Sequence, residues 1–289
     1  MEAGGGSRDR GRRPSRAPAR RRRRPAGSST AARVVVAAPW VAVALFFIYF
    51  DKGNFLPLLV IGLGVVGLNE LYELLRPVRP VVLAGYLAMA AMVLTAAWGG
   101  QYQMVVALAL TVPLTFGLAL ARPERRHVTL AMAATLFGVV WIGLALAHAV
   151  LLRDLHHGDG LLVDTLIATF LGDTAAYFGG RLWGTRPLAP RISPSKTVEG
   201  LVIGYAVGTL AFWFAGLYQN WLSGAHALAI GACVAIAAPL GDLFESLIKR
   251  DLGVKDAGRL FGEHGGVLDR LDAAFFTVVV AYYVSRALL

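Results

Sequence analysis

The feature that most constrains this chain is a series of long apolar runs that recurs from residue 34 to residue 288. A helix needs about 20 apolar residues to cross the hydrocarbon core of a membrane. Only helices and closed barrels satisfy their backbone groups in lipid, and these uninterrupted runs lack the alternation of barrel strands. The sequence therefore predicts an all-α, polytopic membrane protein with nine spans: 34–50, 55–75, 81–98, 104–121, 128–152 (long enough to be tilted or kinked), 161–180, 200–217, 227–248 and 272–288.

Basic residues are concentrated before the first span. Residues 1–33 carry eleven of the 28 Lys and Arg side chains, so most of the formal charge of +10 belongs to them. The near-neutral remainder excludes a basic nucleic-acid-binding domain in the body of the chain, because a basic face would have to lie there. The segment is rich in Arg, Gly, Pro and Ser, which predicts disorder. It also resembles the start of a signal peptide, but 34–50 lacks a clean cleavage site, and we expect a retained first helix.

The distribution of charge between the spans predicts the orientation. Cytoplasmic loops of membrane proteins carry an excess of Lys and Arg. With a cytoplasmic N-terminus and nine alternating spans, fourteen basic residues beyond the tail fall on the cytoplasmic side and three on the opposite side. We expect N-terminal transmembrane helices over 34–160 and a catalytic region over 161–289. The long polar segments 181–199 and 249–271 then face the cytoplasm, in the cell membrane.

The segment 249–271 combines glycines, cations and carboxylates. Adjacent glycines at 265 and 266 permit positive φ and close backbone approach, and successive N–H groups can form an anion-binding nest. Cationic side chains suit phosphate, and carboxylates suit Mg²⁺. Asp269 and Asp272 would also stabilise the start of the last helix, and that role alone would explain Asp272. The other charged residues of this group include Lys255, Asp256, Arg259, His264 and Arg270.

Acidic residues also lie near the ends of two spans, where they are costly and usually functional. Asp173 belongs to the sixth span, and Asp242 and Glu245 share a helical face of the eighth. An ion pair between Glu245 and Lys249 would explain Glu245 without any function. Asp242 lies deeper and is the stronger functional candidate.

Ser195, Lys196 and Thr197 precede the seventh span, where helix N–H groups favour anions. An N-cap by Ser195, with Glu199 in the first turn, would explain Ser195 but not Lys196.

Two weaker features have simple interpretations. Glu70 and Glu73 end the second span, and they could approach the polar site or pair with Arg76. His148 lies within a span and is expected to be a hydrogen-bonded interior residue rather than a proton relay.

The pattern from Ser246 to Asp272 carries a family resemblance. It reads Ser-Leu-Ile-Lys-Arg-x4-Lys-Asp-x-Gly-x2-Phe-Gly-x-His-Gly-Gly-Val-x-Asp-Arg-Leu-Asp. This resembles the signature of the phosphatidate cytidylyltransferases, also called CDP-diacylglycerol synthases. The segment 173–200 is also similar to that family. The resemblance is dense in motifs from about 161 to 275, whereas the basic N-terminal segment is not part of the family pattern.

The resemblance implies transfer of the cytidylyl group of CTP to phosphatidate, which gives CDP-diacylglycerol and diphosphate. It also implies Mg²⁺, a monovalent cation such as K⁺, and a homodimer. By motif position, Asp242 and Asp269 would bind the metal. The resemblance further implies catalytic roles for Lys249, Lys255, Asp256, His264 and Arg270, and substrate binding by Asp173, Ser193, Lys196, Gly265 and Gly266.

Two other functions compete with this interpretation. A CTP-dependent transferase that acts on another lipid phosphate or on a polyprenol would use the same polar residues and similar apolar walls. A transporter would show internal repeats and polar groups near the middle of the membrane. The transporter is disfavoured, because the acids cluster toward one face and no convincing repeat is present.

Overall fold

A computed structural model of the chain describes residues 55–123, 127–258 and 265–289. The helices follow one another along the chain as α1 (Leu56–Leu74), α2 (Val82–Gly99), α3 (Gln101–Leu120), α4 (Val128–Gly138), α5 (Leu144–Arg153), α6 (Gly158–Trp183), α7 (Val198–Gly216), α8 (Gly224–Asp251) and α9 (Leu268–Leu288).

Eight helices in this part of the chain are long and apolar enough to cross a membrane. They coincide, to within about one helical turn, with the eight spans predicted after residue 54. The all-α, polytopic class is therefore confirmed. The predicted first span, 34–50, and the basic segment 1–33 lie outside the described residues.

The run at 128–152, for which we expected a tilt or a kink, is one 26-residue helix that contains a π turn. The turn, Val139–Gly143, joins α4 to α5 and is wider than an α-helical turn. Trp141 within it packs edge-on against Phe244 of α8, with 4.9 Å between the ring centroids, and near Phe275 of α9. The π turn thus contacts the two helices that carry most of the charged residues.

Helices α6 and α7 approach each other closely through small residues. A side-chain Cβ at Gly200 would lie 2.6 Å from the backbone oxygen of Ala176, and one at Gly204 would lie 2.9 Å from that of Gly172. Small residues are the usual means by which membrane helices pack at short range. This contact fixes Asp173, on α6, beside the start of α7.

A short β-hairpin precedes α7 and is the one departure from helix and turn in the described chain. Strands β1 (Pro187–Ala189) and β2 (Ser193–Thr197) pair antiparallel, with Ala189 opposite Ser193. The predicted N-cap at Ser195 is wrong, because Ser195 lies within β2. Thr197 caps α7 instead, and its hydroxyl accepts a hydrogen bond from Gly200 N at 3.1 Å.

Two side chains attach the hairpin to the helices. Glu199, in the first turn of α7 as predicted, accepts hydrogen bonds from the backbone and side chains of Thr185 and Arg186. Arg250, near the end of α8, donates from Nε to the backbone oxygen of Ile192 at 3.1 Å. The hairpin is therefore held against the end of α8.

Candidate functional site

A buried ion-pair cluster joins the end of α8 to the start of α9. Lys249 Nζ lies 2.5 Å from Glu245 Oε2 and 2.8 Å from Asp269 Oδ1. Only 2% of the Glu245 side chain and 11% of the Asp269 side chain are exposed. The expected Glu245–Lys249 pair is thus confirmed. Because Lys249 of α8 also pairs with Asp269 of α9, the ion pair forms part of the contact between these two helices.

A second ion pair joins the predicted polar segment 181–199 to the acidic end of the eighth predicted span. Lys196, on β2, pairs with Asp242, on α8. Asp242 also interacts electrostatically with Asp173 of α6 and Asp272 of α9. Lys196 also acts on Asp173, and Lys249 acts on Asp272. Carboxylates therefore outnumber lysines here, and this excess of negative charge favours a cation.

Asp269 is enclosed by hydrogen-bond donors. Its oxygens accept from Ala257 N at 3.0 Å and from Gly266 N at 2.8 Å, in addition to Lys249. Gly265 has a φ of +81°, and a Cβ there would lie 2.7 Å from Asp269 Oδ2. The glycines do allow the backbone N–H groups to approach an anion closely, and in this structure that anion is the protein's own carboxylate.

Glu70 reaches the same region from the N-terminal half of the chain. It is 8% exposed, and its two oxygens accept from Val267 N at 3.0 Å and Leu268 N at 2.8 Å. Of the two alternatives that the sequence left open, Glu70 therefore approaches the polar site, whereas Glu73 pairs with Arg76 on the surface, 3.9 Å apart. The sequence-based site residues did not include Glu70. The only signal was an acid at the end of an apolar run.

These carboxylates explain why α9 begins four residues before the predicted span. The first N–H groups of a helix lack partners within the helix. Glu70 accepts from Leu268 N, the first N–H of α9, and from Val267 N at the N-cap, while Asp269 accepts from Gly266 N just before the helix. The interpretation of Asp272 as a cap is therefore wrong, because it lies one turn inside the helix.

The remaining predicted site residues are less closely connected to these clusters. Lys255 and Asp256 are exposed between α8 and α9, Arg270 is exposed in the first turn of α9, and Ser193 is half-buried at the start of β2. His264 lies outside the described residues.

The chemistry of the site fits a divalent cation. Among the described residues, no three His, Cys, Asp or Glu side chains are arranged to hold a metal. However, Glu245 Oε1 is buried without a hydrogen-bond partner, and Asp173, Asp242 and Asp272 repel one another. Mg²⁺ prefers one or two carboxylates together with waters and substrate phosphates rather than a full protein cage.

The fold and the site define a class of protein: a polytopic membrane protein with lysines and carboxylates gathered at one end of its helices. The family model described as "Cytidylyltransferase family" matches residues 31–288. The chain therefore belongs to the cytidylyltransferase family.

Curated relatives agree with this family assignment. The chain is 37% identical over 164 residues to the phosphatidate cytidylyltransferase of Mycobacterium leprae, which covers 57% of this chain and 53% of the relative. It is 39% identical over 129 residues to that of Aquifex aeolicus, covering 44% and 47%. It is 42% identical over 137 residues to that of Haemophilus influenzae, covering 45% and 46%. The chain thus spans about half the length of the curated relatives it matches.

Proposed function

We propose that this protein transfers the cytidylyl group of CTP to phosphatidate and forms CDP-diacylglycerol and diphosphate, a step of phospholipid biosynthesis. One observation carries the proposal. In a membrane protein of the cytidylyltransferase family, Lys196 pairs with Asp242 and Lys249 pairs with Asp269, all at one end of the helices. The relatives named phosphatidate cytidylyltransferase support the choice of lipid substrate.

The proposed reaction needs positioning and charge neutralisation rather than a protein nucleophile. An oxygen of the phosphatidate phosphomonoester attacks the α-phosphorus of CTP. The bond from that phosphorus to the oxygen bridging to the β-phosphate breaks, and diphosphate leaves. Because both reactants are polyanions, holding them in line and stabilising the departing charge supply most of the barrier reduction.

Lys196 and Lys249 are the proposed phosphate ligands. Each is held by carboxylates within the site, so its ammonium group is already oriented and partly desolvated. Charge-assisted hydrogen bonds from such lysines to phosphate oxygens are strong. On binding of CTP, we propose that the lysines exchange carboxylate partners for phosphate oxygens.

The carboxylates released in this exchange are the proposed metal ligands. Asp242 and Asp269 would hold Mg²⁺, with Asp173 close to Asp242. When bound, Mg²⁺ neutralises phosphate charge and stabilises the leaving diphosphate. A K⁺ ion and a homodimer remain predictions, as do the roles of Lys255, Asp256, His264, Arg270, Ser193, Gly265 and Gly266.

We further propose that the site faces the cytoplasm, where CTP arrives from water and phosphatidate from the leaflet. The asymmetry of basic residues supports this orientation. Lys255→Cys in a Cys233→Ser background gives one cysteine at an exposed position of the described chain. A membrane-impermeant maleimide should label it in inside-out vesicles only, and labelling in right-side-out vesicles would contradict the orientation.

The substrate is tested with purified protein in detergent, labelled CTP and Mg²⁺. Phosphatidate, lysophosphatidate, a polyprenyl phosphate and a polyprenol are compared at equal concentration. We expect label in CDP-diacylglycerol and release of one diphosphate per product. Label in a different lipid would support the alternative acceptor, and the absence of label in every lipid would overturn the proposal.

A further inference from the structure

Glu70 makes contacts that the proposed chemistry does not itself use. It lies on α1, and its partners lie 197 and 198 residues further along the chain. We propose that Glu70 is a positioning residue through which the N-terminal helices fix the charged groups of the site. The catalytic consequence rests on the function proposed above. The anchoring itself does not.

The contacts of Glu70 define a loop base, which comprises residues 257–258 and 265–268. Its carboxylate receives Val267 N and Leu268 N. A Cβ added to Gly258 or to Gly266 would overlap the same carboxylate. Both ends of the loop base therefore lie directly against Glu70, and a methyl group at either position would displace the Glu70 carboxylate or the loop base.

The loop base in turn holds Asp269. Ala257 N and Gly266 N both donate to the Asp269 carboxylate, which pairs with Lys249. The connection from Glu70 to Lys249 thus runs through backbone N–H groups of the loop base and then through Asp269. Displacement of the loop base would move the donors that orient Asp269, and an error of 1 Å in a reacting group can reduce a rate by about 100-fold.

Burial indicates how firmly this anchor is held. Glu70 is 8% exposed, and a buried carboxylate is stable only when its hydrogen bonds are satisfied. In Glu70→Gln the amide oxygen can still accept, but the amide nitrogen faces a backbone N–H. In Glu70→Leu neither bond can form, and the shape of the side chain is nearly kept.

The test uses the full-length protein and two controls on the same helix. Glu73→Gln changes an exposed carboxylate one turn away, 63% exposed. Tyr72→Phe removes a buried 2.9 Å hydrogen bond to Thr135 O, away from the loop base. Amide hydrogen exchange, the thermal midpoint, and kcat and KM are measured for every variant.

We expect faster exchange at 257 and 266–268 in Glu70→Gln, and still faster exchange in Glu70→Leu. We expect kcat to fall by about 10-fold or more in Glu70→Gln. Glu73→Gln should match the wild type in every measurement. Tyr72→Phe should lower the thermal midpoint and leave kcat and the exchange of the loop base unchanged.

A second variant tests the contact from the other side. Gly266→Ala forces the loop base away from Glu70 and should reproduce the faster exchange. In a Glu70→Ala background the same substitution should have a smaller effect, because the overlapping carboxylate is gone. Equal effects in the two backgrounds would overturn the contact as the cause.

The remaining outcomes separate this inference from the proposed reaction. Unchanged exchange at the loop base in Glu70→Leu overturns the anchor, whatever reaction the protein catalyses. Equal losses of kcat in Tyr72→Phe and Glu70→Gln, at similar thermal midpoints, overturn the positioning role. If the wild type transfers no cytidylyl group to any lipid, the proposed function fails, and faster exchange in the Glu70 variants still supports the anchor.

Discussion

Helices α1–α5 and helices α6–α9 bury polar groups in different ways. In the first region the buried groups are mostly neutral: Tyr72 donates to Thr135 O, and the Thr135 hydroxyl accepts from Val81 N. His148 contacts Leu144 O and the Tyr283 hydroxyl, which confirms it as a hydrogen-bonded interior residue. In the second region, charged side chains from three helices and a strand meet at one end.

The difference supports the proposal that the second region carries the chemistry and the first supplies the scaffold. A buried ion pair is weak evidence for stability, because desolvation offsets the attraction between the charges. The second region nevertheless keeps Lys249 between two acids. Among the described residues of the first region, Glu70 is the one buried carboxylate, and its hydrogen bonds are directed at the second region.

Removal of a carboxylate from the second region is the strongest test of this comparison. Asp269→Asn and Asp242→Asn should reduce incorporation of CTP into lipid by about 100-fold or more, because each loses a proposed metal ligand and the partner of a lysine. The proteins should remain monodisperse on gel filtration. Glu73→Gln, in the first region, should stay within about twofold of the wild type. Retained activity in Asp269→Asn would contradict the assignment of this residue.

A substitution of the central lysine separates stability from activity. Lys249→Met leaves Glu245 and Asp269 without their cation, and the free energy of unfolding should fall by about 3–5 kcal/mol. Lys249→Met combined with Glu245→Gln should recover much of that stability without recovering activity. Denaturation in mixed micelles and the CTP assay measure the two effects. Recovery of activity in the double variant would show that Lys249 serves only to neutralise Glu245.

Glycine substitutions compare the packing of the two regions. Gly200→Ala places a methyl group 2.6 Å from Ala176 O, and we expect a loss of about 1–3 kcal/mol. Gly117→Ala lies in α3 with nothing within 4 Å of the new Cβ, and it should be neutral or stabilising by up to about 1 kcal/mol. Thermal midpoints in detergent distinguish these results. Similar thermal midpoints for the two variants would mean that the close contact between α6 and α7 does not limit the stability of the protein.

Removal of residues 2–32 should have the smallest effect. This segment lies outside every motif, and the specific activity in detergent should change by less than about twofold. Binding to vesicles of anionic lipid can weaken, since each basic residue near the surface contributes about 1 kcal/mol. A large loss of activity in detergent would place the segment in the site and extend the comparison to a third region.

The spans were predictable because burial in lipid leaves long apolar runs in the sequence. The end of α9 at Leu288 is matched, whereas its start was predicted too late. The residues from Leu268 to Asp272 include Asp269, Arg270 and Asp272. This polar pattern favours a loop, and the sequence does not show that Glu70 accepts hydrogen bonds from the backbone where the helix starts. The hairpin was missed because five residues with one proline carry little strand signal.

The candidate site was predictable where its residues follow one another in the chain. The pair Glu245–Lys249 is set by helical spacing alone. The pairing of Lys196 with Asp242, and that of Glu70 with the loop base, depend on how helices distant in sequence pack. A single sequence, taken by itself, contains no signal of such packing.

The π turn at Val139–Gly143 changes the helical register within a single membrane span. Each added residue rotates the following helix by about 100° relative to an unbroken α-helix. Both α4 and α5 pack on α1, α2 and α3, and α5 packs in addition on α6 and α9. The π turn therefore sets the rotation of α5, which reaches α6 and α9, relative to α4. An insertion or deletion at the turn would change how the scaffold is aligned with the half of the protein that carries the charges.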